Sequence, residues 1–344
     1  LTVKTLPSDV DKSGIVYNFL EKSGNIINND ENPISVSAEE VHNELASVLV
    51  IDIRNHEDYV DGHIDGARNA NFNNLISYFK DSIITTSYNK VVLVCYSGQK
   101  TSYTAMLLRI IGYNNVYSLR WGMSSWDKNI ANQYLYKNSS SSYISKLEKV
   151  NNKPVNTNKY PRILSDKVNA YDIILDKAQS LLDSGKFTIS TEEVFANPSK
   201  YYIISYWPQI HYEKGHIAGA FQFEPFNSLT KDKQLSTLPI DKPILVYCYS
   251  GQQSATVAAY LRILGYDAYS LAFGANSFML STLKSGIGHV FGAEEIMNYP
   301  LVKGEKPSIS SGNNINPSVT NGKTENNNIT LPVKKKTKTQ GGGC

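Results

Sequence analysis

The sequence predicts an α/β protein made of two copies of one domain, each a parallel sheet flanked by helices, on three observations. The pentapeptide Cys-Tyr-Ser-Gly-Gln occurs twice, at Cys95 to Gln99 and at Cys248 to Gln252, 153 residues apart. Each copy follows an apolar run, Val91 to Val94 or Ile244 to Tyr247, of the kind that forms a strand buried on both faces. Each precedes a stretch with apolar residues at helical spacing, Thr101 to Ile111 or Ala255 to Leu264. The cysteine is thereby placed at a strand-to-helix turn. There the N–H groups of a tight loop and the positive end of a helix dipole converge on sulfur, which favours thiolate and gives anions a place to bind.

The remaining elements repeat in the same order. Ser37 with Glu40 and Ser190 with Glu193 fit the capping box that opens a helix, and Leu49 to Ile53 and Tyr202 to Tyr206 fit the next strand. Gly62-His63-Ile64-Asp65-Gly66-Ala67 returns as Gly215-His216-Ile217-Ala218-Gly219-Ala220, and Leu108 to Tyr113 as Leu261 to Tyr266, all at the offset of 153. A one-residue deletion then brings Gly122 to Gly274 and Trp126 to Phe278. Two copies of so long a period do not make a solenoid, so each repeat is expected to hold its own core. Composition sets the boundaries: a first domain over 1–136, a polar linker over 137–160, a second domain over 161–302, and a disordered basic tail over 303–344 that is too poor in apolar residues to offset the entropy of ordering.

A length of 344 residues suits two domains with connections, and 41% hydrophobic residues with a net charge of +3 describe an ordinary soluble chain whose charge argues neither for nor against nucleic acid, which is not expected as a partner. No apolar stretch approaches the roughly 18 residues of a membrane span. Three cysteines, two in matching loops and the third at position 344, do not form a disulfide framework. No Cys or His cluster has metal-ligand spacing, and no cofactor is called for. The first residue is Leu1, so the expectation is an exported protein, periplasmic or at the cell surface, with a cytoplasmic location left open.

Asp52-Ile53-Arg54, Asp58-Tyr59 followed by Gly62-His63-Ile64 and Gly66-Ala67, the loop Cys95 to Lys100, Gly112-Tyr113, and Gly122-Met123 with Trp126 together resemble a rhodanese domain, and the second repeat resembles one too. The resemblance covers about 100 residues in each half. It implies two tandem rhodanese-like domains and a sulfurtransferase in which Cys95 and Cys248 accept a sulfane sulfur from a small anionic donor such as thiosulfate. The persulfide then passes the sulfur to a thiol or cyanide-like acceptor. Asp52 and Arg54 are implied as a pair bracing the loops, with a solvated surface pair as the bland reading, and His63 and His216 as structural.

The residues themselves fit that chemistry. Backbone N–H groups over Tyr96, Ser97, Gly98, Gln99, Lys100 and Thr101 can hold an anion, as can those over Tyr249, Ser250, Gly251, Gln252, Gln253 and Ser254. Gly98 permits a conformation other residues resist. Lys100 adds a charge where the second loop has Gln253, so the first site is expected to prefer anions more. The hydroxyls of Ser97 and Thr101, matched by Ser250 and Ser254, either donate to the sulfur or only stabilise the turn.

The second repeat departs from the pattern where Ser205, Trp207, Pro208 and His211 stand at the positions of Asp52, Arg54, Asn55 and Asp58. Its cysteine loop is kept, and both cysteines are expected to form persulfides. Related phosphatases need an arginine six positions after the cysteine; Thr101 and Ser254 stand there, and Lys100, one place early, lacks the planar fork. A non-enzymatic sulfur carrier or docking module is the remaining alternative. Lys334-Lys335-Lys336-Thr337-Lys338 followed by Gly341-Gly342-Gly343-Cys344 reads as an attachment or processing signal, then as a handle, then as a mobile sulfur acceptor.

Overall fold

In a computed structural model describing residues 10–305 other than 25, 31, 32 and 289, each repeat forms a sheet of five strands whose pairings are all parallel. The first contains β1 (Ser35–Val36), β2 (Val48–Asp52), β3 (Arg68–Asn69), β4 (Lys90–Val94) and β5 (Val116–Leu119), in the spatial order β1-β5-β4-β2-β3. A two-stranded antiparallel sheet pairs β6 (Leu147–Glu148) with β9 (His216–Ile217). The second large sheet contains β7 (Thr188–Ile189), β8 (Tyr202–Ser205), β10 (Phe221–Gln222), β11 (Ile244–Tyr247) and β12 (Ala268–Leu271), in the order β10-β8-β11-β12-β7. The apolar runs before the two cysteines are thus the central strands β4 and β11, buried on both faces as Val- and Ile-rich parallel strands are. Each cysteine follows the carboxyl end of a central strand, where open α/β sheets place their ligands.

Both capping serines accept a backbone hydrogen bond, Ser37 Oγ from Glu40 N–H at 3.1 Å and Ser190 Oγ from Glu193 N–H at 3.2 Å. The glutamates do not complete the box. Glu40 and Glu44 pair with Lys90, while Glu193 accepts from Lys200 and Tyr201. β2 begins and ends one residue before the expected span because Ile53 continues the ladder with a single bond, its N–H donating to Val94 O at 2.9 Å.

The expectation of a separate core in each repeat is corrected by the packing. One apolar cluster runs through both halves, joining Tyr103, Met106, Leu107 and Leu108 to Ala255, Val257, Ala259 and Leu261. These residues lie on the helices Gln99–Ile110 and Gln252–Ile263, which are buried around nearly their whole circumference and so must be sandwiched between layers. Each half keeps a smaller core of its own on the opposite face of its sheet, around Trp126 in the first and around Phe278 in the second.

The halves also exchange segments. The stretch after the first repeat reaches the second, where Glu148 faces His216 in β9 and Tyr143 stacks on Phe195 at 4.3 Å. The stretch after the second returns to the first, where Val302 bridges His63 and Tyr299 stacks on His42 at 3.8 Å. His42 and Phe195 occupy equivalent positions, so the two crossings are counterparts. Lys12 N–H likewise donates to Ile163 O, and Gln179 Nε2 to Asn73 O at 2.9 Å. The residues assigned to the polar linker therefore carry packing contacts, and pairing extends past Pro300, through Val302, to Gly304 N–H on Val60 O. The basic run and Cys344 lie outside the described residues.

Candidate functional site

Two peptide segments build each cysteine loop. Cys95 O accepts from Met123 N–H at 2.7 Å and Tyr96 O from Ser124 N–H at 3.1 Å; Cys248 O accepts from Ala275 N–H at 2.9 Å and Tyr249 O from Asn276 N–H at 3.0 Å. Because a trans peptide points its N–H opposite to its C=O, fixing these carbonyls on the supporting segment turns the N–H groups of Tyr96, Ser97, Tyr249 and Ser250 the other way. Gly98 and Gly251 then take left-handed conformations at φ 79° and 83° to enter the helices. Gly122 and Gly274 lie so close beneath the loops that a Cβ on either would run into the cysteine carbonyl oxygen.

The thiols are buried, 3% exposed at Cys95 and 1% at Cys248. Thr101 Oγ1 lies 3.4 Å from Cys95 Sγ, and Ser254 Oγ lies 3.5 Å from Cys248 Sγ, with Ser254 N–H also donating to that sulfur at 3.3 Å. The position six residues after the cysteine thus holds a neutral hydroxyl against sulfur. Each hydroxyl is itself anchored by a buried serine that sequence reading did not single out: Thr101 Oγ1 to Ser118 Oγ and Ser254 Oγ to Ser270 Oγ, both at 2.7 Å. The repeated tripeptide Tyr-Ser-Leu at 117–119 and 269–271 was the available signal.

Around this shared core the two sites differ. Lys100 is half-buried with Nζ 3.9 Å from the centroid of Phe72, and burial pulls its pKa below the ordinary lysine value while the charge at Cys95 opposes that shift. Tyr96 donates its hydroxyl to Asp58 and stacks on Tyr134 at 4.0 Å; Tyr249 instead meets His211 and stacks on Trp207 at 5.1 Å. Burial raises the pKa of both tyrosines, so both hydroxyls keep their protons. Asp52 and Arg54 are buried rather than solvated. The guanidinium holds the Asp52 carboxylate through Nε at 3.0 Å and Nη2 at 2.6 Å, and Nη2 also reaches Gly62 O. In the second repeat the wholly buried Trp207 takes Arg54's place. His63 and His216 sit in the turns, each with Nδ1 2.8 Å from the carbonyl of a tyrosine four residues earlier, and each stacked on that tyrosine.

Gln99 and Gln252, placed among the anion-binding residues from sequence, spend their side chains on the contact between the halves. Gln99 Nε2 donates to Ser270 Oγ and Leu271 O at 2.8 Å, and its Oε1 accepts from Phe273 N–H at 3.0 Å; Gln252 Oε1 accepts from Trp121 N–H at 3.1 Å. Each loop is therefore tied to the segment that supports the other. A cavity of about 220 Å³ opens beside Cys248, Tyr249, Ser250 and Gln253, and its far wall comes from the first half.

A profile of the rhodanese-like domain matches residues 37–129 and 193–280, more than half of the chain. The chain belongs to that family. Among individual relatives, a protein of Shewanella oneidensis named thiosulfate sulfurtransferase GlpE is 37% identical over 83 residues, covering 24% of this chain and 79% of the relative. Its namesake in Pseudomonas fluorescens is 31% identical over 78 residues, 23% of this chain and 69% of that one. A solved thiosulfate sulfurtransferase from Pseudomonas aeruginosa aligns with 84% of this chain and 70% of its own at 12% identity and a TM-score of 0.26. Both rhodanese loops here keep their cysteine.

Proposed function

We propose that the protein is a sulfurtransferase in which Cys95 and Cys248 each carry a sulfane sulfur as a persulfide. The observation that carries this reading is the setting of each thiol at the head of its turn, with the Thr101 hydroxyl against Cys95 Sγ and both the hydroxyl and the N–H of Ser254 against Cys248 Sγ. A cysteine thiolate attacks the outer sulfur of thiosulfate; the new Sγ–S bond forms as the S–S bond of the donor breaks, and sulfite leaves with the electron pair. A thiophilic acceptor such as cyanide then attacks the terminal sulfur, taking it as thiocyanate and returning the thiolate. The N–H groups over 96–101 and 249–254 hold the donor's oxygens and the persulfide anion in turn.

The neutral hydroxyl at the sixth position suits this chemistry better than phosphate ester hydrolysis, which calls for a bidentate guanidinium there. Lys100 sits beside the first loop and strengthens its hold on small dianions, while Arg54, paired with Asp52 and 5.9 Å from the centroid of the Tyr96 ring, steadies that loop. Turnover of thiosulfate and cyanide, measured beside stoichiometric loading, separates an enzyme from a carrier. The proposal expects many thiocyanate molecules per protein; a single turnover that stops at loaded protein would favour the carrier.

A further inference from the structure

Resting on that reading, we propose that Cys248 draws sulfur from an organic donor with an apolar body, of the aromatic thiosulfonate class, while Cys95 draws it from inorganic thiosulfate. The cavity at Cys248 measures about 220 Å³ and is walled by Ile26, Ile34, Met106, Trp121, Tyr206 and Phe226. A dry cavity of about 150 Å³ with such walls holds a benzene ring, so this one takes a ring together with its sulfur-bearing head. Among its described lining residues there is no carboxylate, and the one formal cation, Arg120, lies 3.9 Å from Glu295. Gln253 replaces the lysine of the first loop, so this loop lacks the cation that favours a small dianion at Cys95.

The wall is a feature of one repeat. Eleven residues separate Gly24 from Val36, whereas three separate Gly185 from the equivalent Ile189, so the first repeat carries eight extra residues there. Part of that insertion forms the short 3-10 turn Ile26–Asn28, and Asn28 Nδ2 fastens it to the second half at Leu229 O, 3.2 Å away. The short connection of the second repeat passes directly into β7 and has no such turn to offer Cys95. At the reactive end, Tyr206 takes the place of Ile53 and accepts from Phe226 N–H at 2.8 Å, which leaves its own hydrogen to offer a sulfonyl oxygen. The Cys248 thiolate attacks the terminal sulfur of the thiosulfonate; the Sγ–S bond forms, the donor S–S bond breaks, and an arenesulfinate departs with the electron pair.

The test uses the full chain as Cys95→Ser and Cys248→Ser variants, each loaded with benzenethiosulfonate or thiosulfate and mapped by peptide mass spectrometry. Relative to Cys95, Cys248 is expected to favour the aromatic donor by about ten-fold or more, the worth of burying much of one ring, and Ile26→Ser is expected to reduce that preference. In the unmodified protein, unreactive benzenesulfonate is expected to shield Cys248, and not Cys95, from iodoacetamide. Equal donor preference at the two cysteines, or equal shielding, overturns the proposal. Shielding of Cys248 alone without loading by any donor would keep the aromatic site and remove the sulfur-transfer reading.

Discussion

Cys95 and Cys248 close the same turn on the same kind of central strand, and beyond the turn little of their surroundings is shared. Beside the first loop Arg54, held by the buried Asp52, lies 5.9 Å from the centroid of the Tyr96 ring, and Lys100 follows the turn; beside the second, Trp207 stacks on Tyr249 and an apolar cavity opens. What the loops retain in common is a set of backbone amides, a hydroxyl on the sulfur and a glycine packed underneath. Under the proposed sulfur transfer those parts serve the thiol, while the surroundings of the turn differ between the repeats. An arginine paired with aspartate in one repeat and a stacked tryptophan in the other stand beside the tyrosine of the same turn, so the turn is kept in the second repeat without the Asp–Arg pattern.

Removing both thiols tests this most severely. The double variant Cys95→Ser/Cys248→Ser is expected to lose all loop loading and all thiocyanate production while keeping its circular dichroism spectrum, since the hydroxyl is nearly isosteric. Residual turnover in the folded double variant would place the chemistry elsewhere.

The bracing differs next in size of effect. Asp52→Ala strands the buried Arg54 charge and is expected to cost about 3 to 5 kcal/mol in denaturant unfolding, while adding Arg54→Leu recovers part of the loss. A double variant no more stable than Asp52→Ala would show that the pair acts other than by charge compensation. Gln99→Leu leaves Phe273 N–H, Leu271 O and Ser270 Oγ short of a buried partner and is expected to cost about 1 to 3 kcal/mol. An unchanged unfolding midpoint would mean the bridge between the halves carries no stability.

Lys100→Gln, which copies the second loop, is the mildest change. It should raise the KM for thiosulfate at Cys95 by about five-fold, an effect that fades toward about 1 M salt, where the screening length falls to roughly 3 Å. Burial depresses the folded pKa of Lys100, so its charge is lost at a lower pH than that of an ordinary lysine as pH climbs. KM at Cys95 should therefore rise on the alkaline side in the parent protein and stay flat there in Lys100→Gln. A salt-independent effect would point to the packing of Lys100 on Phe72.

The duplication, the central strands and the cysteine turns were legible because each is a local pattern repeated at a fixed offset. The shared core was not, although the helices after the cysteines are apolar around most of their circumference, which is the pattern of a helix sandwiched between layers. Gln99 and Gln252 sit beside the turn and read naturally as ligand groups; only the packing of the halves shows where their amides go. The exchange of segments after each repeat was hidden by composition, because a polar stretch such as Asn138 to Ser142 resembles a free linker whether or not it packs. The cavity at Cys248 needed the fold, since Ile26, Ile34, Met106 and Trp121 in its wall lie more than 100 positions away in the chain.

Peptide-resolved mass spectrometry of the intact chain after excess thiosulfate, in the parent and in each single cysteine-to-serine variant, tests most directly whether both loops carry sulfur. The expected result is one added sulfur atom on Cys95 and one on Cys248 in the parent, more slowly at Cys248, with each single variant loading only its remaining loop thiol. Folded protein in which either loop thiol gains no sulfur, from thiosulfate or from an organic donor, would contradict it.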